Sequence, residues 1–191
     1  VELLSDKSIG ELNDIQKELV TAIKLDNDRL KLLIKDLLDL SRLESRKTPM
    51  NFQECDIKKI IDFAIKPLRN LCENKNVTLE LGNIDNSTPV IADFNKISVV
   101  LTNFIGNAIK YGKEGEPNHI LVEAFKKDEN LVVAVKDEGR GIPQDQLEKI
   151  FNKYIQVKVS NDGKIEGTGL GLSISKEIIK NHNGEIWVDS K

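Results

Sequence analysis

Gly167-Thr168-Gly169-Leu170-Gly171-Leu172 runs straight into an apolar-periodic stretch, Ser173 to His182, that reads as a helix. Three glycines at alternate positions let a backbone approach a ligand where a Cβ would collide. The helix behind them offers unpaired N–H groups and the positive end of its dipole, a natural seat for phosphate. Glycines also close ordinary turns, so the segment needs support from elsewhere. Upstream stands Asp137-Glu138-Gly139-Arg140-Gly141-Ile142, after the alternating run Leu131-Val132-Val133-Ala134-Val135, which reads as a strand. Gly139 and Gly141 permit a tight turn. Asp137, at the strand end, offers a carboxylate to whatever lies in the cleft.

Further upstream is Asn103-Phe104-Ile105-Gly106-Asn107-Ala108-Ile109-Lys110-Tyr111. Leu101, Phe104, Ile105, Ala108 and Ile109 recur at helical spacing and predict one buried face. Asn103 and Asn107 are four apart and share a face, with Lys110 a turn beyond Asn107. Two amides and an ammonium on one helix face suit phosphates and a hydrated Mg²⁺, which keeps several waters and takes few protein ligands.

The three segments resemble the ATP-binding domain of sensor histidine kinases, within the wider GHKL ATPase superfamily. The asparagine-bearing helix is similar to the N box, DEGRGI to the G1 box and GTGLGL to the G2 box. Ile150-Phe151-Asn152-Lys153-Tyr154, between G1 and G2, resembles the F box. The resemblance implies ATP and Mg²⁺ as cofactors. It makes Asn107 the metal ligand with Asn103 beside it, and Lys110 a phosphate contact, these three being the candidate catalytic residues. Tyr111 lies against the nucleotide, and Asp137 accepts from the adenine amine. Gly139 and Gly141 let the backbone close on the base, while Gly167, Gly169 and Gly171 cradle phosphates. Ile142, Thr168, Leu170 and Leu172 join the nucleotide-binding set as members of the same boxes. No GxxxxGK[ST] motif occurs, which argues against P-loop chemistry.

The first fifty residues follow another pattern. Leu19, Ile23, Asp26, Leu30, Leu33, Leu37 and Leu40 step by four and three, a heptad seam interrupted by Asp26. Asp14 is the expected N-cap, and helix-breaking Pro49 follows the far end. Leu32, Ile34, Leu38 and Leu43 widen the apolar surface beyond one seam, so partner helices are implied. The stretch ending Asp36-Leu37-Leu38-Asp39-Leu40-Ser41-Arg42-Leu43-Glu44 resembles the second helix of the dimerisation and histidine-phosphotransfer domain. By that resemblance, residues 1–48 are part of a helical hairpin that forms a homodimer and docks a response-regulator receiver domain. Val1 to Leu4 are then the tail of the first helix, and Ser5 to Asn13 the hairpin loop. Residues 49–191 are the ATP-binding domain.

The chain departs from the family in two places. The phosphoacceptor histidine belongs to the first hairpin helix, and this chain has only His119 and His182. His119 precedes a strand and His182 ends a helix beside Asn183-Gly184, so neither has the acceptor's setting. The sequence therefore reads as a fragment beginning after the acceptor and unable to autophosphorylate. Gly184 to Ser190 reads as the penultimate strand of a hairpin whose closing strand is missing.

The remaining body predicts an α/β (α+β) two-layer sandwich, a mixed sheet under three helices, preceded by the long coiled-coil-like helix. Phe52 opens a short strand before Asp56. Ile57-Ile60-Ile61-Ala64-Leu68-Leu71 marks a helix disturbed by Pro67. Val77–Leu81 and Val90–Ala92 are strands, the asparagine-bearing helix starts near Asp93, and 120–125 pairs with 131–136. Pro143 suits the first turn of a short helix reaching Phe151. Residues 152–166 are too long for an ordinary connection and resemble the family's ATP lid. Lys153, Lys158 and Lys164 there are read first as a solvated basic face.

Composition agrees. The 191 residues carry 28 Lys and Arg against 31 Asp and Glu, a formal charge of −3, which argues against a nucleic-acid footprint. The 2 cysteines, Cys55 and Cys72, form no CxxC pair and read as core thiols. No apolar run approaches the ~20 residues of a membrane span. A cytoplasmic location is expected, compatible with a membrane anchor elsewhere in a longer parent. The expected chemistry is transfer of the γ-phosphoryl of ATP to a histidine nitrogen, for relay to a response-regulator aspartate. Competing readings are a non-catalytic nucleotide-sensing dimer and another GHKL ATPase or kinase. The hydrolases of that superfamily use a Glu where this chain has Asn103.

Overall fold

A computed structural model describes residues 10, 12–45, 49–85, 89–113, 115–156 and 167–190. The hairpin segment Val1–Leu4, most of the expected loop after it, and Lys158 and Lys164 lie outside the described residues.

Helix α1 (Asp14–Glu44) starts on Asn13 rather than Asp14. Asn13 accepts the Gln16 N–H through Oδ1, and Gln16 Oε1 accepts the Asn13 N–H, both at 2.9 Å. This reciprocal box satisfies two orphan donors, which Asp14 alone could not do, and leaves Asp14 as a carboxylate at the positive helix end.

Strand β1 (Gln53–Cys55) leads into α2 (Ile57–Ile65), capped by Asp56, whose side chain accepts from the Lys58 N–H. Pro67 cannot donate into an α-helix. The chain answers with a 3₁₀ turn over Lys66–Leu68 before α3 (Arg69–Asn74). Then come β2 (Val77–Ile84), β3 (Val90–Ala92), α4 (Phe94–Lys110), β4 (Asn118–Lys127), β5 (Asn130–Asp137) and α5 (Gly171–Asn181).

β1 and β3 form a small antiparallel ribbon; β2 pairs parallel with β4, which pairs antiparallel with β5. The three-stranded sheet is therefore mixed, as expected. Ile120 stands opposite Asp137 and Phe125 opposite Val132. This register puts Asp137 at the sheet end, where the chain leaves β5.

The main core lies between the sheet and α2 and α4. Ile60, Ile61, Ala64, Leu101, Ile105, Ile109, Ile120 and Val122 are buried in one cluster. A second cluster joins Leu40 and Leu43 of α1 to Val100 of α4 and to Leu170, Ile174 and Ile178 around α5. The C-terminal end of α1 is thus packed on the α4–α5 pair.

Two sequence expectations fail. The helix from Pro143 to Phe151 is only a 3₁₀ turn, Gln144–Gln146, followed by further turns. Gln146 bonds back to Pro143, Lys149 to Gln146 and Asn152 to Lys149, so most bonds close after three residues rather than four. Residues 184–190 form no strand, because no described strand pairs with them. The segment is tied instead by the Ile142 N–H, which donates to Ser190 Oγ at 2.8 Å.

Both histidines have structural partners. His119 Nε2 lies 2.9 Å from Glu80 Oε2 across the β2–β4 pair. His182 caps α5, with Nδ1 2.8 Å from the Ile178 carbonyl. Its Nε2 accepts the Asp93 N–H at 3.0 Å. The acceptance at Nε2 fixes the tautomer with its proton on Nδ1. No helix among the described residues is long and apolar enough to cross a membrane.

Candidate functional site

α4 organises the site because its two faces do different work. Leu101, Ile105, Ala108 and Ile109 are buried in the core. Asn103, Gly106, Asn107 and Lys110 are half-buried along the flank facing the loops. Asp93 starts the helix by accepting the Lys96 N–H through Oδ1, and its Oδ2 accepts the Asn51 N–H at 2.9 Å.

Asn103 ties this helix to the glycine-rich segment. Its Nδ2 donates to the Gly171 carbonyl at 3.1 Å and to Ser175 Oγ at 3.2 Å. A carbonyl accepts only from the amide nitrogen, so Asn103 Oδ1 takes no part in the bond to Gly171. Asn107 stands one turn on along the same flank, and its carbonyl accepts the Tyr111 N–H at 2.8 Å.

Lys110 and Tyr111 end the helix. Lys110 Nζ donates to the Tyr111 hydroxyl at 3.0 Å and lies 4.7 Å from its ring centroid. Arg140 places its guanidinium carbon 4.7 Å from the same centroid. Two cations on one ring create a positive surface beside the loops, each contact worth roughly 0.5–1 kcal/mol where exposed. The Tyr111 carbonyl accepts the Arg140 N–H at 3.2 Å, fastening the turn after β5 onto the end of α4.

Within that turn, Asp137 is exposed and its Oδ1 accepts the Gly139 N–H at 2.9 Å. A Cβ on Gly139 would stand 2.7 Å from the Tyr111 carbonyl oxygen, so this approach requires glycine. Gly141 follows in the left-handed region, and Ile142 is half-buried.

The third segment closes the arrangement. A Cβ on Gly167 would meet Lys110 Nζ at 3.2 Å. Gly169 has φ +70°, and a Cβ there would lie 2.9 Å from the Tyr154 carbonyl carbon. Gly171 is different: its Cβ would make only ordinary contact with Asn103, so no protein atom demands a glycine there. Leu170 is buried and Leu172 half-buried as α5 begins. Thr168 donates its hydroxyl to Asp36 Oδ2 of α1 at 2.7 Å. The structure thus brings together all three motif segments, which are separated by tens of residues in the chain.

Sequence reasoning passed over Arg140, Ser175 and Asp36. Arg140 stood inside a quoted motif, yet only the end of α4 gives its side chain a ring to cover. Ser175 is fully buried, donating to the Gly171 carbonyl at 2.9 Å while accepting from Asn103. Lys153, read as a solvated cation, is exposed and also pairs with Glu44 at 2.6 Å, and that carboxylate raises its pKa above the ordinary lysine value. Cys55 and Cys72 are buried free thiols, and burial pushes Cys72 above the usual thiol pKa.

The family described as histidine kinase-, DNA gyrase B- and HSP90-like ATPase matches residues 92–191, which hold all three motif segments. The chain belongs to this ATPase family. Within it, the chain is the ATP-binding core of a sensor histidine kinase, as its relatives show. It is 33% identical over 180 residues to the sensor histidine kinase WalK of Bacillus subtilis, covering 94% of this chain and 29% of that protein. The chain therefore spans less than a third of that relative. The nucleotide-free catalytic domain of the histidine kinase ThkA is 31% identical with a TM-score of 0.62, covering 72% of this chain and 86% of that one. ThkA in complex with the response regulator TrrA gives a TM-score of 0.72 at 25% identity, covering 97% of this chain and 50% of that one. These relatives do not favour the nucleotide-sensing dimer or the other ATPases of the family.

Proposed function

We propose that this chain binds MgATP between α4, the turn after β5 and the Gly167–Leu172 loop. The γ-phosphoryl passes to a histidine other than His119 and His182, for relay to a response-regulator aspartate. The observation that carries the reading is the convergence at Lys110. Its ammonium lies beside Gly167 and on Tyr111, while the Tyr111 carbonyl holds the Arg140 N–H.

The residues fit the group. Gly139 and Gly169 let the backbone pack against Tyr111 and Tyr154, where a Cβ would collide, and the loop leads into α5 with its N–H groups forward. In this reading Asp137 accepts from the adenine amine and Tyr111 lies along the base. Gly139, Gly141 and Ile142 shape the base pocket. Gly167, Thr168, Gly169, Leu170, Gly171 and Leu172 surround the phosphates, with Lys110 supplying charge. Asn107 offers an amide oxygen to Mg²⁺ with Asn103 Oδ1 beside it, and the metal's remaining ligands are phosphate oxygens and water. MgATP supplies the phosphoryl group, and the protein supplies position and charge. Asn103 replaces the carboxylate that activates water in the hydrolases, so phosphoryl transfer rather than hydrolysis is favoured.

Residues 1–48 act as the dimerisation part and 49–191 as the ATP-binding part. The exposed Ile23, Leu30 and Leu37 of α1 support a homodimer seam. The ThkA complex with TrrA supports a receiver domain as the partner, and this part of the kinase works in the cytoplasm. Calorimetric titration with a non-hydrolysable ATP analogue and Mg²⁺ tests the reading. Wild type binds, and Asp137→Asn weakens binding about 10- to 100-fold, the worth of one charge-assisted hydrogen bond. Equal binding by both proteins would remove Asp137 from the base pocket.

A further inference from the structure

The loop assigned to phosphate is already bonded to a carboxylate. Thr168 Oγ donates to Asp36 Oδ2 at 2.7 Å and accepts the Leu170 N–H at 3.2 Å. Leu170 begins α5, so this hydroxyl links α1 to the junction of loop and helix. Asp36 is four residues before Leu40, seven before Leu43 and eight before Glu44, so the four share one face of α1. Leu40 and Leu43 are buried against Leu170, Ile174 and Ile178. Glu44 takes Lys153 at 2.6 Å, and the neighbouring Tyr154 donates its N–H to the Gly169 carbonyl at 2.9 Å. One helix face therefore holds the loop at Thr168 and also the segment packed on Gly169.

A carboxylate and a nucleotide phosphate are the same kind of partner for a threonine hydroxyl. Each is anionic and accepts the same single proton, so one donor serves one of them. Their charges also repel at hydrogen-bonding range, most strongly where water is partly excluded, and Asp36 is half-buried. Leu40 and Leu43 supply adhesion that does not depend on nucleotide. Asp36 supplies the part that does.

We propose that Asp36 is a carboxylate placeholder for nucleotide phosphate: it holds α1 on the phosphate loop, and the phosphates of ATP displace it from Thr168. This rests on the nucleotide reading of the loop and adds what that reading lacks, a link between the site and the position of α1. Linkage makes the antagonism reciprocal: seated α1 weakens phosphate binding by the factor by which nucleotide weakens seating.

The test titrates the 191-residue chain, Asp36→Ala and Asp36→Asn with a non-hydrolysable Mg-ATP analogue and, separately, with adenosine. Asp36→Ala is expected to bind the analogue about 5- to 50-fold more tightly, within the range of ordinary allosteric couplings. Adenosine affinity stays the same, because the placeholder acts only at the phosphate end. Asp36→Asn keeps an acceptor for Thr168 but loses the charge, so it falls between the two and guards against a folding defect in the alanine variant. Amide exchange over residues 36–44 of the wild type is expected to quicken when the analogue saturates. Unchanged or weaker analogue binding in both variants overturns the proposal while leaving the nucleotide site standing. Equal tightening for adenosine overturns it too, since the effect is then general loosening. If no protein binds either ligand, the nucleotide reading itself falls.

Discussion

α4 and α1, of 17 and 31 residues, are both amphipathic helices, and they finish their burial differently. α4 sinks its apolar stripe into the chain's own core, with Ile105 at 0% exposed. Its opposite flank is thereby held still enough to present Asn103, Asn107 and Lys110 to two loops. α1 buries only Leu40 and Leu43, while Leu19 remains 58% and Leu30 55% exposed. A helix of this length gains most of its stability from packing. Among the described residues, the apolar stripe over its first two-thirds is left open, so packing stabilises α1 chiefly at its C-terminal end. Burial and exposure thus fall to different helices, which meet where Leu40 and Leu43 touch α5.

The largest effect that would separate the two helices is core truncation. Ile105→Ala should lower unfolding free energy by about 2–5 kcal/mol in a urea titration. Leu30→Ala in dilute chain should stay within about 0.5 kcal/mol. A large and concentration-dependent cost at Leu30 would show that a second copy completes the α1 surface. Next is the meeting point. Leu43→Ala should cost about 2–4 kcal/mol in local protection, read as faster amide exchange over residues 36–44, with the α2–α4 core unmoved. If exchange quickened equally in α4, the two clusters would be one cooperative unit. The smallest effect is electrostatic. The Glu44 carboxylate raises the Lys153 pKa, so the contribution is complete below the ordinary lysine value and is lost as pH rises through the raised one. The amide shift of Glu44 should move over that alkaline range and lose this movement in Lys153→Met. A movement that persists in the variant would assign it elsewhere.

Much of the frame was legible in the chain. Period-two runs located β4 and β5, and the Asp128-Glu129 tip needed only a local turn, with Asp128 at φ +54°. Pro67 announced a break, and the structure makes it a 3₁₀ turn because the missing N–H affects one hydrogen bond, not the whole helix. The motif segments were legible because each constraint is local: glycine where φ is positive, amides four apart on one face. Gly171 shows the limit, since it belongs to the motif but no protein atom crowds its Cβ position. The short helix after Pro143 was not legible. Its polar residues satisfy four-residue and three-residue turns alike, and most of its bonds close after three.

The sequence by itself determined the family and the order of the main strands and helices, and it nominated residues for a nucleotide, because periodicity and backbone freedom are properties of neighbouring residues. Only the tertiary structure decided that Asn103 spends its amide protons on Gly171 and Ser175, that Arg140 covers Tyr111, and that Asp36 reaches Thr168. Those pairs lie from 29 to 132 residues apart. No local rule selects such partners; the burial of Leu40 and Leu43 against α5 and the seating of α4 on the sheet bring them within reach.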